Sequence, residues 1–219
     1  MRFVAFETSS EWCSVALYDR GELRALEQRA ANRHSELALP MLERLLGDAG
    51  VTPADLDAVA YGAGPGSFTG LRIACGLAQG LAVARGLPVY GVSSLAALAQ
   101  ESGAKRVIAC VDARMREVYY AALERMAGGW REVIGVRCVA PQAVEVPAGD
   151  DWIGCGSGFA VYGNLGLKIV LPMVHATALA VAELAAPVLA AGGGVDAALA
   201  APLYVRDKVA LTREELERS

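Results

Sequence analysis

The sequence predicts an α/β protein built from two related lobes, the second abbreviated. Three observations carry that reading. The chain opens on three consecutive strand-like runs joined by polar turns, then changes to helical periodicity, then alternates strands with helices. From Lys105 the same three-strand opening begins again. After Val139 the repeat departs from its first version, with a loop-like stretch and fewer helical segments.

In the first lobe, Arg2 to Phe6, Cys13 to Tyr18 and Leu23 to Arg29 read as a meander, with turns at Glu7 to Glu11 and Asp19 to Glu22. A helix follows. Ser35 is its expected N-cap, and Leu37, Met41, Leu45 with Ala38, Leu42, Leu46 form two adjacent i, i+4 rows. Pro40 falls near its start, where it forfeits one backbone bond and is expected to bend the helix. Thr52-Pro53-Ala54-Asp55 has cap, proline and acid in capping-box order. Asp57 to Tyr61 is a strand, Gly62 to Gly70 a glycine-rich turn, and Leu71 to Arg85 a helix closed by Gly86. Pro88 to Val92 is a strand, and Ser93-Ser94 cap a short helix through Gln100. Strands that follow crossover helices should run parallel to the first strand. The second lobe reads as strands Arg106 to Val111, Val118 to Leu123 and Arg131 to Val139, then a loop, a short strand Trp152 to Cys155 and a helix Ala176 to Ala191. The expected division is 1–102 and 103–219, at Ser102-Gly103.

Composition narrows the function classes. Apolar residues make up 54% of the 219, too many for a disordered chain, and a net charge of −4 denies it the global basic field of a stand-alone nucleic-acid binder. No apolar run reaches about 18 residues, so no membrane span is expected. Glu7 interrupts the N-terminus before a signal-peptide apolar region forms. Five cysteines with no Cys-x-x-Cys pair read as buried thiols of a cytoplasmic protein.

Catalytic parts are scarce. The loop Gly62-Ala63-Gly64-Pro65-Gly66-Ser67-Phe68-Thr69-Gly70 sits where a strand meets a helix N-terminus, a place suited to phosphate. It lacks the Gly-Lys-Ser/Thr ending, and no lysine precedes Lys105, so it is no Walker loop; its glycines equally serve close helix–sheet packing. Glu7, Gly64, Gly66 and Ser67 are the weak nucleotide candidates. The acids Glu7, Glu11 and Asp112 stand in the first turn of each meander, able to hold a hydrated cation or simply solvated. Ser9 and Ser10 have no neighbouring base, and His34 and His175, each at a helix start in a different lobe, make neither a triad nor a metal pair. Trp12, Trp130 and Trp152 are scattered, and no basic–aromatic alternation marks a single-strand platform. Gly76 and Gly80, with Ala74 and Ala78, give the second helix a small-residue side suited either to tight internal packing or to a partner helix. The end from Arg206 to Arg218 is mixed in charge and expected to be solvated or partner-facing.

Several stretches belong together: Phe6-Glu7-Thr8-Ser9-Ser10 through Leu17, His34-Ser35 with Leu39-Pro40-Met41-Leu42, Tyr61 through Ile73, Gly91-Val92-Ser93-Ser94-Leu95, Asp112-Ala113-Arg114-Met115-Arg116-Glu117-Val118-Tyr119 and Pro202-Leu203-Tyr204-Val205-Arg206. Across nearly the whole chain they closely resemble the TsaB (YeaZ) family. The resemblance implies the actin/Hsp70/sugar-kinase-like (ASKHA) α/β fold, duplicated ββαβαβα lobes with the second reduced. It implies a non-catalytic, cytoplasmic accessory subunit with no cofactor or metal of its own. Such a subunit is a homodimer when alone. It works with the catalytic paralogue TsaD and the ATPase TsaE to place threonylcarbamoyl, supplied as an adenylate by TsaC, on the adenosine beside the anticodon of tRNAs reading ANN codons, meeting tRNA only through the complex. TsaD-like sequences carry Gly-Val-Asn-His-Leu-x-x-His with metal-binding histidines; the matching stretch here puts Ser94 and Leu98 in those places. The first-turn acid, usually Asp in actin-like ATPases, is Glu7. The family pairs through its first-lobe helices, which implies an interface of Leu37, Met41, Leu42, Leu45, Leu71, Ala74, Cys75 and Ala78. Two other readings of the same fold are an independent ATPase or small-molecule kinase, and a glycoprotease-like metallopeptidase.

Overall fold

The computed structural model describes residues 1–206; the charged end beyond Arg206 lies outside the described residues. Strands β1 (Arg2–Glu7), β2 (Trp12–Asp19), β3 (Glu22–Arg29), β4 (Ala58–Gly64) and β5 (Val89–Ser93) form one sheet in the order β3-β2-β1-β4-β5. Strands β6 (Arg106–Asp112), β7 (Val118–Met126), β8 (Gly129–Val139), β9 (Ile153–Cys155) and β10 (Ile169–Leu171) form a second, in the order β10-β9-β6-β7-β8. Read from the meander edge, the two orders are the same. In each lobe the first three strands pair antiparallel and the last two run parallel to the first. The duplication expected of an actin-like fold is therefore written in the pairing itself.

Five helices complete it: α1 (His34–Ala49), α2 (Phe68–Val83), α3 (Ser94–Glu101), α4 (Ser157–Tyr162) and α5 (Ala178–Ala190). The molecule is a stack of five layers. Strand alternation sorts the side chains between them. On β1, Val4 and Phe6 face α1 and α2, while Phe3 and Ala5 face a central layer of α3 and α5. On β6, Val107 and Ala109 face that same layer, and Ile108 and Cys110 face Phe159 of α4 and Trp152. Both central strands are thus apolar on both faces, as buried strands must be. The middle layer is rich in alanine (Ala97, Ala99, Ala178, Ala180, Ala182, Ala185), which lets helices sit close to the sheets on either side. Although α5 comes late in the chain, it packs on β1, β2, β4 and β5 of the first sheet.

Some expected boundaries shift, each for a local reason. Helix α1 starts at His34, before Ser35, with Arg33 as its uncapped N-cap, and the His34 ring fixes that start by donating from Nε2 to the Ser10 carbonyl at 2.9 Å. Helix α1 runs on through Pro40, which lies on its exposed side. Helix α2 starts three residues before Leu71, because Ser67 caps it by accepting from Gly70 N. The capping box predicted at Thr52 and Asp55 forms, on a single 3-10 turn. Helix α4 and strand β10, six and three residues long, were not visible in the sequence pattern.

One buried contact ties α5 to the sheet. Ser14 Oγ on β2 accepts from Ala178 N in the first turn of α5 at 2.7 Å. Ser14→Ala leaves that buried amide without a partner and is expected to cost about 1–3 kcal/mol in urea unfolding, with the slope of the transition unchanged.

Candidate functional site

The carboxyl ends of the parallel strands of the first sheet converge on Glu7, the glycine-rich loop and the start of α3, the edge where open α/β sheets take ligands. Glu7 ends β1 and is 1% exposed. Its Oε1 accepts from Ser9 N at 2.6 Å and its Oε2 from Ser94 Oγ at 2.8 Å. Ser94 Oγ in turn accepts from Gly64 N at 3.2 Å. The carboxylate is pressed against β4: a Cβ at Gly62 would stand 1.9 Å from Glu7 Oε2. Only a residue with no side chain fits there.

The β1–β2 turn also seals the entrance to α2. Thr8 Oγ1 donates to the Gly70 carbonyl at 2.7 Å, and a Cβ at Gly70 would lie 1.9 Å from the Thr8 carbonyl oxygen. Ser67 N donates to Ser9 O at 2.7 Å, and Gly66 lies directly against Ser9.

The actin-like fold implies a metal–nucleotide at this edge, and the residues present do not fit one. The amides of Gly64, Ser67 and Gly70 already have acceptors inside the chain, and both Glu7 oxygens are engaged by Ser9 and Ser94. Among the described residues no three His, Cys, Asp or Glu side chains converge as a metal site. Of the other acids, Glu11 pairs with Arg29 at 2.6 Å, and Asp112 accepts from Arg114 N and from Tyr162 Oη.

The two positions matching the TsaD histidines lie on α3. Ser94 is the buried partner of Glu7, and Leu98 is 1% exposed in the central core. His175 stacks on Trp12, ring centroids 4.7 Å apart, and its Nε2 lies 3.1 Å from Glu27 Oε1 but outside hydrogen-bond geometry. His34 is structural, as above. The Glu7–Ser94 contact spans 87 residues of sequence, so no local pattern could have announced it.

The expected interface residues need correcting. Met41, Leu42, Leu45, Ala74, Cys75 and Ala78 are buried in the chain's own core between the helices and the first sheet, and Leu71 is buried beside Gly64. Leu37 packs partly against that core and lines a shallow groove with Leu26 and Pro40. The reason is geometric: the apolar rows of α1 and α2 are the faces that cover Val4, Phe6, Val15 and Leu17. The outward faces carry Leu39, Pro40 and Glu43 on α1 and Arg72, Gly76, Gly80 and Val83 on α2, with open space over Gly76 and Gly80.

No thiol here is activated. Burial pushes Cys13 up to about 11 and Cys110 up to about 12, and it also raises Cys75, Cys138 and Cys155. At pH 8 the native chain should give at most one promptly reacting thiol with a disulfide reagent, Cys138, and all five after denaturation. Glu7→Ala should lose about 2–4 kcal/mol in chemical denaturation, because it opens a cavity and orphans the buried Ser94 hydroxyl and the half-buried Ser9 amide, whereas Glu7→Gln, which keeps the shape, should lose less than half of that.

The comparisons with known proteins agree with this arrangement. Residues 27–212 match the family model of TsaD, described as tRNA N6-adenosine threonylcarbamoyltransferase. The chain is 37% identical to the tRNA threonylcarbamoyladenosine biosynthesis protein TsaB of Escherichia coli, over 96% of each chain. It is 36% identical to the Haemophilus influenzae protein of the same name, over 95% of each. The crystal structure of YeaZ from Pseudomonas aeruginosa superimposes with a TM-score of 0.88 at 40% identity, covering 93% of this chain and 99% of that one. Similarity that runs the full length of these relatives, on the same two-lobed framework, makes this chain a member of the TsaB (YeaZ) family.

Proposed function

We propose that this chain is a non-catalytic subunit in the formation of threonylcarbamoyladenosine in tRNA. In this reading it holds a TsaD-type catalytic paralogue in its working form, together with the ATPase TsaE, for modification of the adenosine beside the anticodon in tRNAs reading ANN codons. It meets tRNA only through that complex, pairs with itself when alone and works in the cytoplasm. Among the described residues no helix is long and apolar enough to cross a membrane.

One observation carries the reading. Where the TsaD signature places histidines for a metal, this chain has a serine committed to Glu7 and a leucine buried in the core. A neutral hydroxyl already hydrogen-bonded is a poor ligand, and a leucine is none. The names of the relatives supply the pathway. What the chain retains is a surface: the outward faces of α1 and α2, with Leu39 and Val83 exposed and Gly76 and Gly80 allowing another helix to approach closely.

The burial pattern selects the test. Leu42→Glu would place a charge in the core and unfold the chain, so it cannot report on docking. Gly80→Glu and Val83→Glu sit on open surface and should leave the thermal transition within a few degrees of the parent. They should nonetheless abolish co-purification with the TsaD-type partner and, with it, modification of tRNA in the reconstituted system. Retained complex and activity in both variants would refute this docking face, and turnover by the isolated chain would refute the non-catalytic role.

A further inference from the structure

We infer that Pro202–Arg206 is a strap that fills, from within the chain, the edge where this fold would take a nucleotide, and that the first turn of the second lobe is a guanidinium receptor whose ligand is Arg206. This concerns how the two lobes are held and does not depend on which partner the chain serves.

The strap can be followed contact by contact. It leaves β5 at the Val89–Val195 bridge, and Gln79 of α2 holds it by donating to the carbonyls of Ala197 and Ala200. Tyr61 Oη donates to Ala201 O at 2.9 Å, and Leu203 N donates to Ala63 O at 2.7 Å, on the glycine-rich loop itself. The Tyr204 ring lies 5.7 Å from that of Phe68, and Arg72 donates from Nε to Tyr204 Oη while its guanidinium stacks 3.7 Å from the centre of the Phe68 ring. Two residues on, the strap has crossed to the second lobe. It therefore runs past the carboxyl ends of the parallel strands of one sheet and finishes at the end of β6 in the other.

The turn it reaches is built for a cation. Arg114, Met115 and Arg116 have φ of 61°, 53° and 58°, three successive non-glycine residues in the left-handed region, a conformation that costs energy and needs outside support. Three amides of the turn are used internally: Ala113 N donates to Glu117 O, Glu117 N to Arg114 O, and Arg114 N to Asp112 Oδ1. Acceptors remain. Arg206 Nη2 donates to the carbonyls of Ala113 at 3.0 Å and Arg114 at 3.4 Å and to the Glu117 carboxylate, with the guanidinium 5.8 Å from the Tyr119 ring centre. A phosphate in that place would face oxygens, whereas a planar guanidinium meets them with donors. The side chain of Arg206 is 16% exposed, so the contact is shielded from competing water.

Amide hydrogen exchange on the full chain tests both halves of the proposal. Arg206→Ala should speed exchange at the hydrogen-bonded amides of Ala113, Arg114 and Glu117 by about tenfold or more while those of β1 and β2 stay unchanged. Low-millimolar guanidinium chloride should restore protection, and the same concentration of sodium chloride should not. Arg206→Lys should recover only part of it, since an ammonium can donate to the oxygens that Nη2 reaches but lacks the planar group that also meets Met115 Sδ and lies near the Tyr119 ring. Unchanged exchange in Arg206→Ala, or equal rescue by sodium chloride, would overturn the receptor. Calorimetry of the parent chain with magnesium and a non-hydrolysable ATP analogue should show no binding at millimolar ligand; saturable binding would overturn the strap as the resident of that edge.

Discussion

A carboxylate with 1% exposure at the end of the central strand must be satisfied from several directions at once, and the first lobe is arranged around that requirement. Glu7 draws the β1–β2 turn inward through Ser9 N, fixes the start of α3 through Ser94 Oγ, and through Ser94 reaches Gly64 N on the loop after β4. Because the carboxylate stands against Gly62, β4 has no room there for a side chain. Three segments distant in sequence, at residues 7–9, 62–64 and 94, meet at this group. A half-satisfied network of this kind would cost more than an apolar core, so its completeness fixes the geometry of the whole edge.

That completeness has a functional corollary. An edge that binds a ligand must hold unspent donors or acceptors facing solvent. Here the amides of Gly64, Ser67 and Gly70 are spent, and the strap lies alongside them. The second lobe's turn offers acceptors, already taken by Arg206. In both lobes these named groups find their partners within the chain. Helix surface stays open on the far side of the first sheet, at Gly76, Gly80 and Val83 of α2.

Much of the architecture was legible because it is local. The capping box at Thr52-Pro53-Ala54-Asp55, the meander turns and the amphipathic rows of α1 each depend on residues within a few positions of one another, and each forms. The short α4 and β10 were hidden because six- and three-residue elements hold too little periodicity to stand out from a glycine-rich stretch. The start of α2 was misplaced because the side chain of Ser67 supplies the cap from within the loop. The interface residues were misassigned for a different reason. An apolar row such as Leu37, Met41, Leu45 carries the same pattern whether a sheet or a partner covers it, and the contact with Val4, Phe6 and Val15 is what decides.

The sequence by itself determined the two-lobed α/β plan, the family and the wide separation of its two histidines, since these rest on residue identity and on short-range periodicity. Only the tertiary structure decided that Ser94 belongs to Glu7, which faces of α1 and α2 remain open, and that Arg206 closes on a turn 89 residues before it. Those outcomes depend on pairings between distant segments, whose partners are chosen by burial and by the need of every buried polar group for a match, and no stretch of chain read alone contains that information.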